Sequence, residues 1–443
     1  MESSTEEIEH LRRILAIEKN TDFTQFREMV RKLPLNERKL KGYSWYPLRV
    51  TKTGFAIGDK AYVILERSGS KEDPNQFRSG MQVTFFTQAA HVKNSERSGI
   101  IQFMTDMSMK VILNTPDLPD WINAGSLGID LDFDERSYLE MEKALLQLQS
   151  AKNNRSAELR DILLGYLPSD RAQDLEEVDV AMLNPAQNKA VNHILATRDI
   201  SILHGPPGTG KTTTLVQGIR EMAMRENEIL VSAPSNTAVD LLTEKLAETG
   251  LNVVRIGNIS RVDETILHHT LDYRLAHHPE TRQIKKVRIE AIEARKQLEK
   301  LDGKFGAEVR DRKSELRREA RDLQSWANRL ENQLVTKILF EADVITCTLV
   351  GSANKVLEGM RFTTVFIDEA AQALEPATWI PILKSDKVVL AGDPYQLPPT
   401  VKSIDAQRAG LNVTLIEKAI QRLVDVQVLD IQYRMHVDIM GFS

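Results

Sequence analysis

Eight consecutive residues, Gly205-Pro206-Pro207-Gly208-Thr209-Gly210-Lys211-Thr212, constrain this chain more than anything else in it. They directly follow the apolar run ISILH and precede a helical pattern that opens near Thr212. Strand, glycine-rich turn and helix together are the context of a phosphate-binding loop. The glycines let backbone N–H groups turn inward around phosphate oxygens, and the helix amino terminus adds partial positive charge. There Lys211 would reach the β and γ phosphates of a nucleotide and Thr212 would ligate Mg2+, with Thr213 among the nucleotide-binding residues. The fold around such a loop is α/β, with functional groups gathered at the carboxyl ends of parallel strands.

The rest of the chain from about residue 180 agrees. ISILHG, EILVSAP, VVRIG, VITCT, TVFIDE and KVVLAGD are short apolar runs, each ending in Gly, Pro, Ser or an acid. Continuous apolar runs suit strands buried on both faces of a parallel sheet. Thr364–Glu369 is such a strand and ends in two acids. Asp368 would hold Mg2+, directly or through water, and Glu369 would orient and deprotonate an attacking water. The next strand closes on GDPYQLPP, where Gln396 can contact both a γ-phosphate and the water. Gln432-Tyr433-Arg434-Met435-His436 follows the run VQVLD; Arg434 is a candidate arginine finger and Tyr433 offers an aromatic face to adenine. Upstream, Gln187 of LNPAQ carries one donor and one acceptor side, the pattern that matches N6 and N7 of adenine. Pro234, Ser235, Asn236 and Thr237 end the second strand with small polar groups at a helix start, which suits a sugar–phosphate backbone as well as a simple helix cap.

Outside this region the texture changes. Ser3 to Glu6 reads as a capping box for amphipathic helices over residues 4–32. From Tyr43 to about Asn123, short β-rich runs separated by Gly, Asn, Asp and Pro predict a small antiparallel barrel or sandwich. Residues 135–166 return to helical periodicity. Within the α/β region, Ile284, Ala291 and Leu298 share one heptad row and Val287, Ala294 and Leu301 another. After Asp302–Gly306 the rows Val309, Leu316, Leu323, Leu330 and Ala320, Ala327, Leu334 restart, which predicts an antiparallel helical hairpin. Its charged outer faces read as a solvated stalk rather than a dedicated nucleic-acid arm.

Composition excludes several classes. The 58 Lys and Arg against 63 Asp and Glu give a net charge of −5, so the chain as a whole is no basic nucleic-acid coat. One cysteine, Cys347, leaves neither a disulfide framework nor a cysteine zinc site. The amino terminus MESSTEEIEHLRR has no basic start and apolar run, and no stretch of about 18 apolar residues occurs. A soluble, cytoplasmic protein with no membrane partner is the expectation.

The ordered set LNPAQ, GPPGTGKT, APSNTAVD, DEAAQ, GDPYQLPP and QYRMH resembles the superfamily 1 helicases of the Up-frameshift-like class over about residues 180–443. The resemblance implies an ATP- and Mg2+-dependent motor with two RecA-like lobes that acts on single-stranded RNA or DNA, moves 5′ to 3′ and works as a monomer. It implies that Gln187 and Tyr433 bind adenine, that Gly205 to Thr213 hold the phosphates, and that Thr212 and Asp368 hold the metal. It further implies catalytic parts for Lys211, Asp368, Glu369, Gln396 and Arg434. Pro234, Ser235, Asn236, Thr237 and, in TCTLVG, Thr348 would face nucleic acid. The barrel would touch the strand too.

On this reading residues 1–42 are stalk helices, 43–130 the barrel, 131–179 a stalk helix and linker, 180–279 with 336–402 the first RecA-like lobe, 280–335 the hairpin, and 403–443 the start of a second lobe. The family's later motifs lie beyond Ser443, so the chain is expected to be a segment of a longer protein whose turnover needs the remainder. An AAA+ ATPase is the first rival, but that class places its acidic strand much sooner than the 157 residues that separate Lys211 from Asp368. The second is an ATP-gated nucleic-acid clamp or remodelling ATPase that does not unwind.

Overall fold

The computed structural model describes residues 3–55, 60–115, 117–172, 175–257, 264–301, 306–423 and 426–433. Six strands, β1 (Ser44–Phe55), β2 (Ala61–Arg67), β3 (Gln82–Thr87), β4 (Glu96–Met104), β5 (Ser108–Leu113) and β6 (Leu127–Leu131), close a barrel in the order β1-β2-β5-β4-β3-β6. All pairings in it are antiparallel. In β2 and β5 buried and half-buried residues alternate, the period-2 signature of a strand with one face inward. Val63, Leu65, Phe85, Ile101, Val111 and Ile129 fill the interior, each fully buried.

The second sheet has seven strands: β7 (Ile200–His204), β8 (Ile229–Ala233), β9 (Val253–Arg255), β10 (Val344–Thr348), β11 (Phe362–Ile367), β12 (Ser385–Gly392) and β13 (Val426–Val428). Their order is β13-β7-β12-β11-β8-β10-β9 and every pair is parallel. β8 is buried at all five positions, as a strand covered on both faces must be. The order has a direct consequence for function. β12 lies between β7 and β11, so the loops after all three open side by side on one edge.

Among the described residues, thirteen α-helices surround these sheets. They are α1 (Ser4–Phe26), α2 (Leu35–Leu40), α3 (Glu135–Ser150), α4 (Arg155–Leu163), α5 (Pro185–Leu195), α6 (Lys211–Ala223), α7 (Asn236–Glu248), α8 (Leu271–His277), α9 (Thr281–Glu299), α10 (Ala307–Phe340), α11 (Glu375–Ile382), α12 (Ile404–Arg408) and α13 (Leu415–Arg422). The capping box at the start of α1 forms, with Ser3 and Glu6 exchanging bonds. α9 and α10 pack along Ile284, Val287, Ala291 and Ala294 on one side and Leu316, Ala320, Ala327 and Leu334 on the other, all buried. The intervening turn at 302–305 lies outside the described residues.

Two features fix how these elements join. First, α1 and α3 pack into the core of the second sheet. Ile8, Leu11, Leu15, Leu145 and Leu148 share one continuous core with Trp379 of α11 and with Val365, Ile367, Val388 and Leu390 of the sheet. Second, the sheet does not end at residue 402. β13 pairs with β7 through Val426↔Ile202 and Val428↔His204, so the chain through 428 completes this sheet. The reason is that β13 follows α12 and α13, whose Ala406, Leu415, Ile416 and Ala419 are buried in the same core. Among the described residues, no helix is long and apolar enough to cross a membrane.

Candidate active site

The phosphate loop is held open by its own backbone. Gly208 and Gly210 sit at φ 81° and 78°, the left-handed region glycine enters without a Cβ clash. At Gly210 a Cβ would also stand 2.5 Å from Gln187 Nε2. Thr209 Oγ1 donates to the Pro206 carbonyl at 2.8 Å, and Gly205 N–H donates to Gly392 of β12 at 3.2 Å. Helix α6 then starts at Lys211, so the free N–H groups of its first turn face the loop. Thr212 is half-buried and Thr213 is exposed on that turn.

Lys211 Nζ donates to Glu369 Oε1 at 2.8 Å and lies 3.7 Å from Asp368 Oδ1. The strands bring these residues together across 157 positions of sequence. Asp368 directly follows β11 at 3% exposure, and its Oδ1 accepts the Glu369 N–H at 2.9 Å. Burial pushes its carboxyl up to about 6; the neighbouring Glu369 charge raises it too, while Lys211 opposes both. Glu369 itself adopts φ 53°, ψ 35°, a left-handed conformation that is uncommon for a side-chain-bearing residue and concentrated at functional sites. Its Oε2 accepts from Gln372 Nε2 at 2.9 Å.

The residues fit a nucleotide with magnesium. Among the described residues no three carboxylate, imidazole or thiol groups cluster as a protein cage for a metal. Magnesium keeps several waters and is held by one or two protein oxygens plus substrate phosphates, so two oxygens such as those of Asp368 and Thr212 would be enough to hold it. The buried, elevated carboxyl of Asp368 is a group that a divalent cation would stabilise in its charged form.

Gln396 follows β12, and its Nε2 donates to Asp393 Oδ2 at 3.2 Å. Asp393 is 3% exposed, accepts the Tyr395 N–H at 3.1 Å and lies 3.3 Å from His204 Nε2. Sequence reasoning gave no role to Asp393 or His204. The signal was there: Asp393 stands inside GDPYQLPP and His204 directly precedes the phosphate loop.

Gln187 and Tyr433 flank the loop's mouth. Gln187 Oε1 accepts the Asn184 N–H at 3.0 Å, and Nε2 donates to the Thr209 carbonyl at 3.1 Å. One donor and one acceptor are thus committed to capping α5 and bracing the phosphate loop, and one of each remains for a base. Tyr433 N–H donates to the Gly208 carbonyl at 2.7 Å and its hydroxyl accepts from Asn184 Nδ2 at 2.7 Å, while the side of the ring stays exposed. Arg434 lies outside the described residues.

The candidate nucleic-acid residues line the neighbouring edge. Thr348 of β10 is in register with Ala233 of β8, which places Thr348 beside Pro234 to Thr237. Ser235 Oγ accepts the Ala238 N–H at 3.1 Å and so caps α7. Asn236 Oδ1 accepts from the guanidinium of Arg255 at 2.8 Å, and Arg255 Nε donates to Asp240 at 3.0 Å. Arg255 is 1% exposed and was missed from sequence, because a lone Arg within VVRIG carries no motif. Thr237 is exposed and Pro234 half-buried. Replacing Arg255 by methionine removes the cation beside Asp240 and the anchor of Asn236. The expected loss is about 3–5 kcal/mol of stability, read as a lowered unfolding midpoint, because half of a buried ion pair is left behind.

Comparison with known proteins points the same way. A family model described as an AAA domain matches residues 182–404. The chain is 36% identical over 310 residues to the DNA-binding protein SMUBP-2 of Rattus norvegicus, covering 68% of this chain and 31% of that protein. It is 31% identical over 429 residues to the DNA polymerase alpha-associated DNA helicase A of Schizosaccharomyces pombe, covering 92% of this chain and 63% of the relative. To an Arabidopsis thaliana regulator of nonsense transcripts 1 homolog it is 38% identical over 258 residues, 57% of this chain and 19% of the relative. The chain therefore spans less than two thirds of the length of each of these relatives.

Proposed function

From the premise that this chain belongs to the superfamily 1 helicases of the Up-frameshift-like class, we propose that it is the ATP-binding part of a nucleic-acid-dependent ATPase. The motor acts on single-stranded RNA or DNA, moves 5′ to 3′, and works as a soluble cytoplasmic monomer. The observation that carries this reading is the Lys211 ammonium held 2.8 Å from Glu369 and 3.7 Å from Asp368, at the mouth of a glycine-rich loop.

The pairing suggests how the residues would work. An arriving triphosphate competes with the two carboxylates for Lys211. When Lys211 turns to the phosphates, Glu369 Oε1 loses its partner and becomes free to accept a proton from the attacking water. A positioned base of this kind contributes about 10²–10⁴ in rate. Magnesium, when bound at Asp368 and Thr212, supplies charge neutralisation at the phosphates. Gln396, braced by Asp393, would sense the γ-phosphate, and Tyr433 would offer its exposed ring to adenine. Arg434 would complete the pocket when the lobes close. Pro234, Ser235, Asn236, Thr237 and Thr348 would follow the strand, with Arg255 fixing their loop.

The test is strand displacement by the native full-length protein with ATP and Mg2+, on partial duplexes carrying a 5′ or a 3′ single-stranded tail. Displacement from the 5′-tailed duplex alone is the expected result. Displacement from the 3′ tail alone reverses the polarity. Strand-dependent hydrolysis with no displacement from either tail replaces the helicase with a non-unwinding clamp.

A further inference from the structure

A buried carboxylate outside the nucleotide pocket ties the barrel's support to the turn that carries Gln396. Glu18 lies in mid-α1 at 2% exposure. Its two oxygens accept the backbone N–H groups of Lys402 and Ser403, each at 2.8 Å, across more than 380 positions of sequence. A buried charge persists only when it is paired or hydrogen-bonded, and here both acceptors are directed at one short segment of backbone. That segment is the exit of the Gln396 turn. Ser403 also caps α12, through its Oγ and the Ala406 N–H at 3.2 Å.

One helical turn on, Asp22 lies on the same face of α1. It pairs with Lys402 Nζ at 2.5 Å and accepts from the Tyr138 hydroxyl of α3 at 2.8 Å. A single polar seam thus joins the helix leading into the barrel, the helix leaving it, and the exit of the Gln396 turn. On the other side of Glu18, Glu7 holds the first turns of α1 to α13 through Lys418 and Arg422, both at 2.9 Å. Beyond the seam α1 passes into a π turn at Arg27–Arg31, a rare geometry that concentrates at functional sites. Arg31 then reaches Asp132, just past β6, at 2.9 Å, and Asp132 accepts from Thr84 of β3 at 2.7 Å. From Glu18 to Arg31 the helix forms a lever of roughly 20 Å at about 1.5 Å per residue.

We infer that Glu18 is a positioning residue that transmits the state of the Gln396 turn through α1 to the barrel, so that strand affinity follows the bound nucleotide. The geometry makes the link stiff. A shift of the 396–403 backbone by an ångström must either break two charge-assisted bonds or carry α1 with it. Two bonds to successive amides also resist rotation, which one bond would not. The inference rests on the motor reading above, since it takes Gln396 as the γ-phosphate sensor and the barrel as a strand contact.

The experiment measures the affinity of the native full-length protein for a fluorescein-labelled oligo-dT and an oligo-U strand, each with ADP and with a non-hydrolysable ATP analogue. The wild type is expected to bind at least one strand differently in the two nucleotide states. Glu18→Gln keeps one acceptor but turns an NH2 group toward the other amide, donor against donor. In this variant the nucleotide-dependent difference is expected to shrink about tenfold, within the usual span of coupling between sites, while affinity for the ATP analogue itself stays unchanged. A residue that only stabilised α12 would lower the unfolding midpoint and leave the difference intact, and that result overturns the inference. Glu18→Asp keeps the charge but is one methylene too short to hold both backbone amides, and it carries the test if Glu18→Gln does not fold. Its difference should also shrink, and a full wild-type difference overturns the inference. If the wild type binds both strands equally in both nucleotide states, the motor reading fails first and the inference with it. If only the variants behave as wild type, the motor reading stands and the inference alone fails.

Discussion

The Lys211→Ala protein loses tight ATP binding and its hydrolysis falls by about a thousandfold or more, comparable to removing a group that stabilises charge at the transferring phosphoryl. The structure explains why the effect is large. Lys211 is 8% exposed, and the Nζ lies against both acids of the site. Without it, two carboxylates face the triphosphate with no ammonium between them. Asp368, already raised to about 6 by burial, loses the ammonium that most lowers it and shifts further upward. At neutral pH more of Asp368 is then protonated, and a protonated carboxyl is a poor magnesium ligand. Binding of a fluorescent ATP analogue and steady-state hydrolysis both check this. Normal turnover in the variant would remove Lys211 from the site.

Glu369→Gln separates binding from chemistry. The amide keeps the size of the carboxylate and can still accept from Lys211, so ATP is expected to bind at least as tightly as in the wild type. One negative charge near the γ-phosphate is gone, which favours the triphosphate further. Hydrolysis is expected to fall by about 10²–10⁴, because an amide cannot take the proton of the attacking water. The left-handed backbone at this residue tolerates the change, since Glu and Gln face the same steric cost there. A nucleotide dissociation constant and a single-turnover rate on the same preparation distinguish the two effects. A variant that hydrolyses ATP at the wild-type rate would exclude Glu369 as the base.

What could be read from sequence was whatever depends on local order. The strand–loop–helix around Lys211, the acids at the end of TVFIDE and the period-2 runs of the barrel announce themselves within a dozen residues. What could not be read depends on pairs far apart. Glu18 looks like any polar residue of an amphipathic helix, and only folding brings it to Lys402 and Ser403. Arg255 likewise gains its meaning from Asn236 and Asp240 on another strand's helix. The placement of β13 beside β7 was hidden for the same reason, since a three-residue strand carries no period of its own. Gln187 shows the converse. Its residue type suggested a base reader, yet the fold also uses it as a brace between α5 and the phosphate loop.

The central claim is that nucleotide chemistry here is coupled to a nucleic-acid strand. Its most direct test is ATP hydrolysis by the native full-length protein, at one fixed salt concentration, with and without single-stranded DNA or RNA. Fixed salt is essential because backbone binding weakens steeply as salt rises. The account predicts slow hydrolysis alone and a several-fold rise with at least one strand. A rate that no strand changes, with ATP still bound and turned over, would contradict it.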